Sequence, residues 1–412
     1  MLAAERKHCR LCGSAQLNMS FDLGNLASCG LFPGMADTGD DPSAPLAIIR
    51  CRDCGLVQAA HDYEMSDLFG HTYGYRSGLN ESMKAHLESL VADLRTRVSL
   101  GDGDYVLDIG SNDSTLLNSY RGTGVRRVAI DPVLEQFRSY YDDDILTAAD
   151  FFNAATFRDL AGTVKAKAVT SISMFYDLPD PVAFARDIAS ILDEDGIWVF
   201  EQSYMPTMVE RNSFDTICHE HLEYYCFKQI EKILADAGLQ AIDVTFNDTN
   251  GGSFRVFAAH LASSHTPKSS LLNEVREREV AQGYDTDAPL EAFSSRIAKR
   301  KQELLSLLNE LKAKGKLVHG YGASTKGNTL LQHYEITTDL VPAIADRNEI
   351  KWGSRTPGTR IPIISEEESR AAKPDYYLAL PWHFRNGFLA RERAFRENGG
   401  KFIFPLPEVE IV

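Results

Sequence analysis

The stretch Tyr105-Val106-Leu107-Asp108-Ile109-Gly110-Ser111-Asn112-Asp113-Ser114-Thr115-Leu116-Leu117 limits what this chain can fold into more than any other. An apolar run of strand character ends at Asp108, passes through one glycine and resumes as an apolar pattern of helical type, so the backbone turns from strand to helix at Gly110. Such a turn is a ligand site. The strand leaves its carboxyl end open, the helix start offers unpaired N–H groups, and the bare Gly110 lets a ligand approach the backbone. The next strand, Arg127-Val128-Ala129-Ile130-Asp131, ends in an acid about twenty residues on, placed to accept two ribose hydroxyls. Gly110 stands without the three-glycine spacing of a pyrophosphate turn, which favours a nucleoside lacking phosphates. The plainer alternative is that Asp108 and Asp131 only cap helices.

The alternation continues. Residues 168–174 and 196–201 read as strands, 181–192 and 227–237 as helices, the second closed by Gly238, and 239–245 and 253–261 as strands joined by Asn247-Asp248-Thr249-Asn250-Gly251-Gly252. Helices between strands predict a mainly parallel, doubly wound sheet with an antiparallel edge hairpin. Upstream, Met83, Leu87, Leu90, Val91, Leu94 and Val98 share one face of a helix that Gly101-Asp102-Gly103 stops. The ensemble resembles the seven-stranded class I methyltransferases. That resemblance implies S-adenosylmethionine as cofactor, held by Asp108, Gly110, Ser111, Asn112, Asp131 and Met174.

Cys9-Arg10-Leu11-Cys12 and Cys51-Arg52-Asp53-Cys54 are two CxxC knuckles, each followed by the glycine (Gly13, Gly55) that lets both sulfurs face one ion. Four thiolates make a closed tetrahedral Zn2+ site, structural because no position stays open for chemistry. Their separation exceeds ribbon spacing, so the segment between them must fold back. Four unrelated buried cysteines are the alternative, with Cys29 a spare thiol and His8 or His61 a replacement ligand. Seven cysteines, four of them in close pairs, suit a reducing compartment, hence the cytoplasm. The formal charge of −15 disfavours a phosphate-backbone grip on nucleic acid. No run long enough to span a bilayer is found, and a monomer is favoured.

The segment from Glu201 to Phe227 is too long for a simple connection and carries Cys218-His219-Glu220-His221-Leu222-Glu223-Tyr224-Tyr225. Two histidines around a glutamate suit a base and its orienter; zinc ligation or structural hydrogen bonding are the other options. Tyr73-Gly74-Tyr75-Arg76-Ser77 has the composition of a lid, or of plain surface packing. Residues 265–290 are polar and irregular and read as a hinge or linker. A helix over 290–311, with Ile297, Leu304, Leu305, Leu308 and Leu311 as its stripe, then introduces a second αβ unit. There 316–328 is strand, glycine turn and helix start, 341–346 repeats the terminal acid, 376–380 ends at Pro381-Trp382-His383, and 401–404 adds a strand. Gly320, Gly322 and Gly327 miss the dinucleotide spacing, against nicotinamide. The turn amides and Lys326 suit a diphosphate or carboxylate, unless Lys326 merely solvates a helix start.

The expected architecture is α/β in three domains: a zinc-binding module (1–70), a methyltransferase domain (71–264) and a Rossmann-like substrate-binding domain (265–412). In this order, the knuckles, Asp108–Asp113, Cys218–His221, Asn250-Gly251-Gly252-Ser253-Phe254-Arg255 and Gly320–Asn328 resemble the nucleotide-sugar C-methyltransferases of deoxysugar biosynthesis over nearly the whole chain. The resemblance implies methylation of a nucleotide-linked 4-keto-6-deoxysugar beside its ketone, through an enolate. His221 is then the base, with Glu220, Tyr224 and Tyr75 assisting it and Lys326, Asn328, Arg255, Tyr176 and His219 toward the substrate. Two departures stand out: Cys218 replaces a common tyrosine, and Phe175-Tyr176-Asp177 occupies a place that often holds a histidine. Rival readings are an O- or N-methyltransferase on the same scaffold, a nicotinamide oxidoreductase using the third domain, and a nucleic-acid module built on the knuckles.

Overall fold

The computed structural model describes residues 3–64 and 75–412; Tyr73 and Gly74 of the lid expectation lie outside them. Strands β1 (Leu17–Ala27), β2 (Ser43–Cys51) and β3 (Val57–Ala59) form an antiparallel sheet beside a two-stranded pair, Ala3–Glu5 with His61–Tyr63. Helix α1 (Glu81–Arg97) buries Leu87, Leu90, Val91 and Leu94, the face its spacing predicts. It leads into β4 (Tyr105–Ile109), the short helix α2 (Thr115–Asn118), β5 (Arg126–Ile130), β6 (Leu146–Ala148) and β7 (Ala166–Ile172). Helix α3 (Pro181–Ile191) starts on a proline, with Asp180 Oδ1 accepting the Ala183 N–H at 2.9 Å. Next come β8 (Leu192–Ser203), the two-residue β9 (Glu223–Tyr224), α4 (Phe227–Asp236), β10 (Leu239–Asn247) and β11 (Ser253–His260).

The central sheet has the order β10-β11-β8-β7-β4-β5-β6, parallel except for β11, which is antiparallel to both neighbours. This is the expected doubly wound, seven-stranded sheet. The sequence reading missed β6, a three-residue edge strand too short to show a period. Residues 265–290 are corrected: α5 (Ser269–Ala281) is no linker but packs on the central sheet, burying Leu272 and Val275. Its buried Glu279 accepts the Phe227 N–H (2.6 Å) and the Tyr204 hydroxyl (2.7 Å), capping α4 from outside. Two apolar residues and a buried acid are too weak a stripe to read as a helix.

Helix α6 (Ala288–Ala313) then crosses to a six-stranded sheet of β12 (Val318–Tyr321), β13 (Ile344–Asp346), β14 (Ile363–Ser365), β15 (Tyr376–Ala379), β16 (Lys401–Phe404) and β17 (Glu410–Ile411). Its order is β14-β13-β12-β15-β16-β17, parallel up to the antiparallel β17. Helix α7 (Thr325–His333) follows the β12 turn, capped by Ser324 Oγ on the Gly327 N–H at 3.0 Å.

The cysteine module is wedged between the two larger sheets. Cys9, Leu11, Cys51 and Leu56 join the central core, whereas Phe21, Leu23, Leu26, Leu46 and Ile48 join one core with the third domain and with Phe214 and Ile217 of the long loop. That loop enters the module's own sheet, because β9 pairs antiparallel with β3, Glu223 opposite Gln58. Among the described residues no helix is long and apolar enough to cross a membrane.

Candidate active site and metal centre

Pairing of β1 with β2 runs from Leu17 opposite Cys51 out to Ala27 opposite Ser43, so this hairpin returns the second knuckle to the first. Gly13 (φ +71) and Gly55 (φ +78) make the left-handed turns. The four sulfurs lie within 4.8 Å of one another, Cys9 to Cys54 at 3.5 Å and Cys12 to Cys51 at 3.6 Å. Zinc bonded to four thiolates at about 2.3 Å requires sulfurs about 3.8 Å apart, so the cluster fits the ion and leaves no open position. Cys29 is buried elsewhere, against the Thr329 hydroxyl at 3.3 Å.

A cavity of about 1290 Å³ lies where the central and third sheets face each other. Single-ligand sites occupy about 300–1,000 Å³, so there is room for two molecules. On the central side, Gly110 (φ +70) leaves space that a Cβ would crowd, 3.3 Å from Met174 Cγ. Asp131 Oδ2 accepts the Asn112 N–H and Oδ1 the Val133 N–H, both at 2.7 Å. Each oxygen keeps a lone pair for a hydroxyl donor. Ile130, Val133, Phe151 and Phe152 add apolar walls, a setting that fits an adenosine. Asp108 lies beneath the turn rather than in the cavity: it accepts the Thr170 hydroxyl at 2.6 Å, and burial pushes its carboxyl up to about 7. Ser111 bonds the Tyr141 hydroxyl at 2.8 Å and likewise does not line the cavity.

His221 and Glu220 line the cavity with Cys218, Tyr176 and Asp177. His221 Nδ1 lies 2.6 Å from the Thr216 carbonyl oxygen. A carbonyl only accepts, so Nδ1 carries the proton and Nε2 keeps its lone pair. Burial lowers the imidazole to about 4. The Tyr176 ring packs on it, centroids 4.2 Å apart. Burial raises the Glu220 carboxyl. Tyr75, at 47% exposure, sits at the cavity's rim, and Asn112 Nδ2 donates to its carbonyl at 3.1 Å.

His219 and His221 flank a turn closed by the His221 N–H on the Cys218 carbonyl at 3.2 Å, and His219 points away from the cavity. Its Nε2 donates to the Ala44 carbonyl at 3.1 Å and its ring meets Tyr63 edge-on. Tyr224 donates to the His221 carbonyl at 3.0 Å, so it holds the loop instead of reaching a ligand. The loop is pinned from both sides: Ala59 N–H donates to the Leu222 carbonyl and Leu222 N–H to the Tyr176 carbonyl, both at 2.8 Å. Arg10, inside the first knuckle, is buried with its guanidinium on the Ala59 and His61 carbonyls (2.8 and 2.9 Å) and 3.9 Å from the buried Glu223.

On the far wall, Lys326 is half-buried and its Nζ donates to the Asn250 carbonyl; desolvation lowers its pKa. Asn328 is corrected: it is wholly buried, with Nδ2 on the Cys29 carbonyl at 2.7 Å, and latches the module to α7. Arg255 is corrected too. It stands opposite Glu201 across β11 and β8 and neutralises that buried acid at 2.8 Å, with His86 2.5 Å from the other oxygen. The sequence reading missed Asp346, Arg347, Lys351 and His383 as cavity residues, although the terminal acid of β13 and the histidine after β15 were visible signals. Phe32, supplied by the module, had none; it lies under the Lys351 ammonium, 4.3 Å from its ring centre.

Three known family models match successive parts of the chain. A zinc binding domain matches residues 9–69, a methyltransferase domain 83–244 and a C-methyltransferase C-terminal domain 248–407. C-methyltransferase NovU of Streptomyces niveus is 32% identical over 406 residues, 98% of this chain and 96% of that protein. Among solved structures, magnesium protoporphyrin IX methyltransferase (ChlM) from Synechocystis PCC 6803 with bound SAM is 16% identical over 43% of this chain and 79% of its own, with a TM-score of 0.33. Mitomycin 7-O-methyltransferase MmcR is 14% identical over 44% and 55%, with a TM-score of 0.35. With its four-thiolate structural zinc site and its adenosine-fitting crevice, the chain belongs to the C-methyltransferase family and is an S-adenosylmethionine-dependent methyltransferase.

Proposed function

We propose that the enzyme methylates the carbon beside the ketone of a nucleotide-linked 4-keto-6-deoxysugar, with His221 as the base. The observation that carries this reading is the His221 tautomer: with Nδ1 donating to the Thr216 carbonyl, Nε2 is an unprotonated nitrogen in a cavity large enough for donor and acceptor together. A ketone acidifies its neighbouring C–H, and an imidazole that is neutral at working pH has a free nitrogen to accept the proton. His221 Nε2 takes it, and the C–H electron pair becomes the enolate double bond as charge moves to oxygen. S-adenosylmethionine supplies the electrophilic methyl group. Asp131 holds the ribose hydroxyls and Gly110 admits the nucleoside, while Lys326 and Lys351 on the far wall suit the substrate's diphosphate. Aligning the two carbons is the main task left to the fold.

The test separates proton removal from methyl transfer. With S-adenosylhomocysteine bound, the wild-type enzyme should wash solvent deuterium into the carbon beside the ketone, read by mass spectrometry. His221→Ala should keep its affinity for S-adenosylhomocysteine and lose exchange and turnover by about 10²–10⁴-fold. Methyl transfer to a hydroxyl or amine with no exchange would put the O- or N-methyltransferase in its place.

A further inference from the structure

An enolate needs a hydrogen-bond donor where its oxygen gathers charge. On the wall that carries His221, Cys218 is a weak donor, and Tyr224, the tyrosine closest in sequence, is spent on the His221 carbonyl. Asp177 is different. It closes the turn Phe175–Asp177 after β7, lines the cavity and is 8% exposed; its Oδ1 is shielded and has no partner in the protein, which leaves Oδ2 as the oxygen able to meet a ligand. Its place is fixed, since its own N–H donates to the Met174 carbonyl at 3.0 Å and the preceding Tyr176 is bound both to Leu222 and against the His221 ring.

An ionised carboxylate buried there without donors would be costly, whereas a carboxylic acid has an O–H to give. The surroundings enforce the second form. Burial and then the Glu220 and Glu223 carboxylates push Asp177 well above the usual carboxylate range. The groups facing it are Glu220, Glu223, His221, the Cys218 thiol and the Tyr224 hydroxyl of the long loop, with Lys326 on the opposite wall. We propose that Asp177 is a catalytic residue, a neutral acid whose O–H holds the substrate's keto oxygen as it becomes the enolate. The inference rests on the enolate reading above. No proton leaves Asp177: His221 takes the one from carbon, and the oxygen's charge returns to the ketone when the new C–C bond forms. The same role for a protonated aspartate, beside another base, is known in ketosteroid isomerase.

Asp177→Asn keeps an N–H donor and Asp177→Ala removes it. Deuterium exchange with S-adenosylhomocysteine bound, kcat and KM from pH 6 to 9, cofactor affinity and melting temperature are measured for both. Asn should stay within about tenfold of wild type. Ala should lose about 10²–10³-fold in kcat and in exchange, with KM little changed. Wild type should slow as pH rises through the Asp177 ionisation, and the Asn variant should lack that alkaline fall. An Asn variant as slow as Ala would show that the charge is needed, for a substrate ammonium or as a second base, and would overturn the proposal. So would an Ala variant that exchanges at the wild-type rate while His221→Ala does not, a result that leaves the base in place. If Ala fails to fold, the pH profiles of wild type and Asn decide. Exchange surviving in His221→Ala would instead remove the enolate reading beneath.

Discussion

Two crevices face each other across the cavity, and they share a frame. In the central sheet Asp131 follows β5 and accepts the N–H groups of Asn112 and Val133; in the third domain Asp346 ends β13 and accepts those of Ala323 (2.6 Å) and Asn348 (2.7 Å). Gly110 and Gly322 make the same left-handed turn, at φ +70 and +83. The linings differ. Apolar Ile130, Val133 and Phe152 surround the first acid, while Arg347, Lys351, Lys326 and Ser324 surround the second. One backbone arrangement thus presents an acid for hydroxyls in both places, and the charge around it decides whether a phosphate can lie alongside.

The comparison breaks most visibly at the acids. Asp131→Ala should weaken S-adenosylhomocysteine binding about 10²-fold, two hydroxyl bonds to a charged group at about 1.5 kcal/mol each, while Asp346→Ala leaves it unchanged in calorimetry. Equal losses would mean that the crevices are not specialised. Lys326→Met should raise KM for the nucleotide sugar about tenfold, one charge-assisted bond, without touching cofactor affinity. A cofactor effect there would place the donor on the wrong wall. The smallest effect concerns the group between the crevices. Because burial holds His221 near 4, it is already neutral, and exchange should change by less than about twofold between pH 6 and pH 5, below the Asp177 ionisation. It should fall only as pH approaches 4 and the imidazole takes its proton.

Legibility followed how locally each feature is determined. The Gly110–Asp131 pair and the paired knuckles could be read because a turn or a metal demands particular residues at fixed offsets. The helix over Ser269–Ala281 could not, since its buried face is completed by Glu279 capping a distant helix. His219 and His221 look alike in sequence; the turn between them sends one ring to the Ala44 carbonyl and the other to the Thr216 carbonyl, partners the sequence does not announce. Arg255 and Asn328 lie in segments that do belong to the site. Their side chains are drawn inward by Glu201 and by the Cys29 carbonyl, partners remote in sequence.

The segment that carries His221 is the outer rung of a sheet nailed at its far end by four sulfurs. A chelator should therefore be felt first as a stalled proton step, with the methyl donor still docking on its own crevice. In this fold the metal acts like the footing of a crane, far from the load yet setting where the hook hangs.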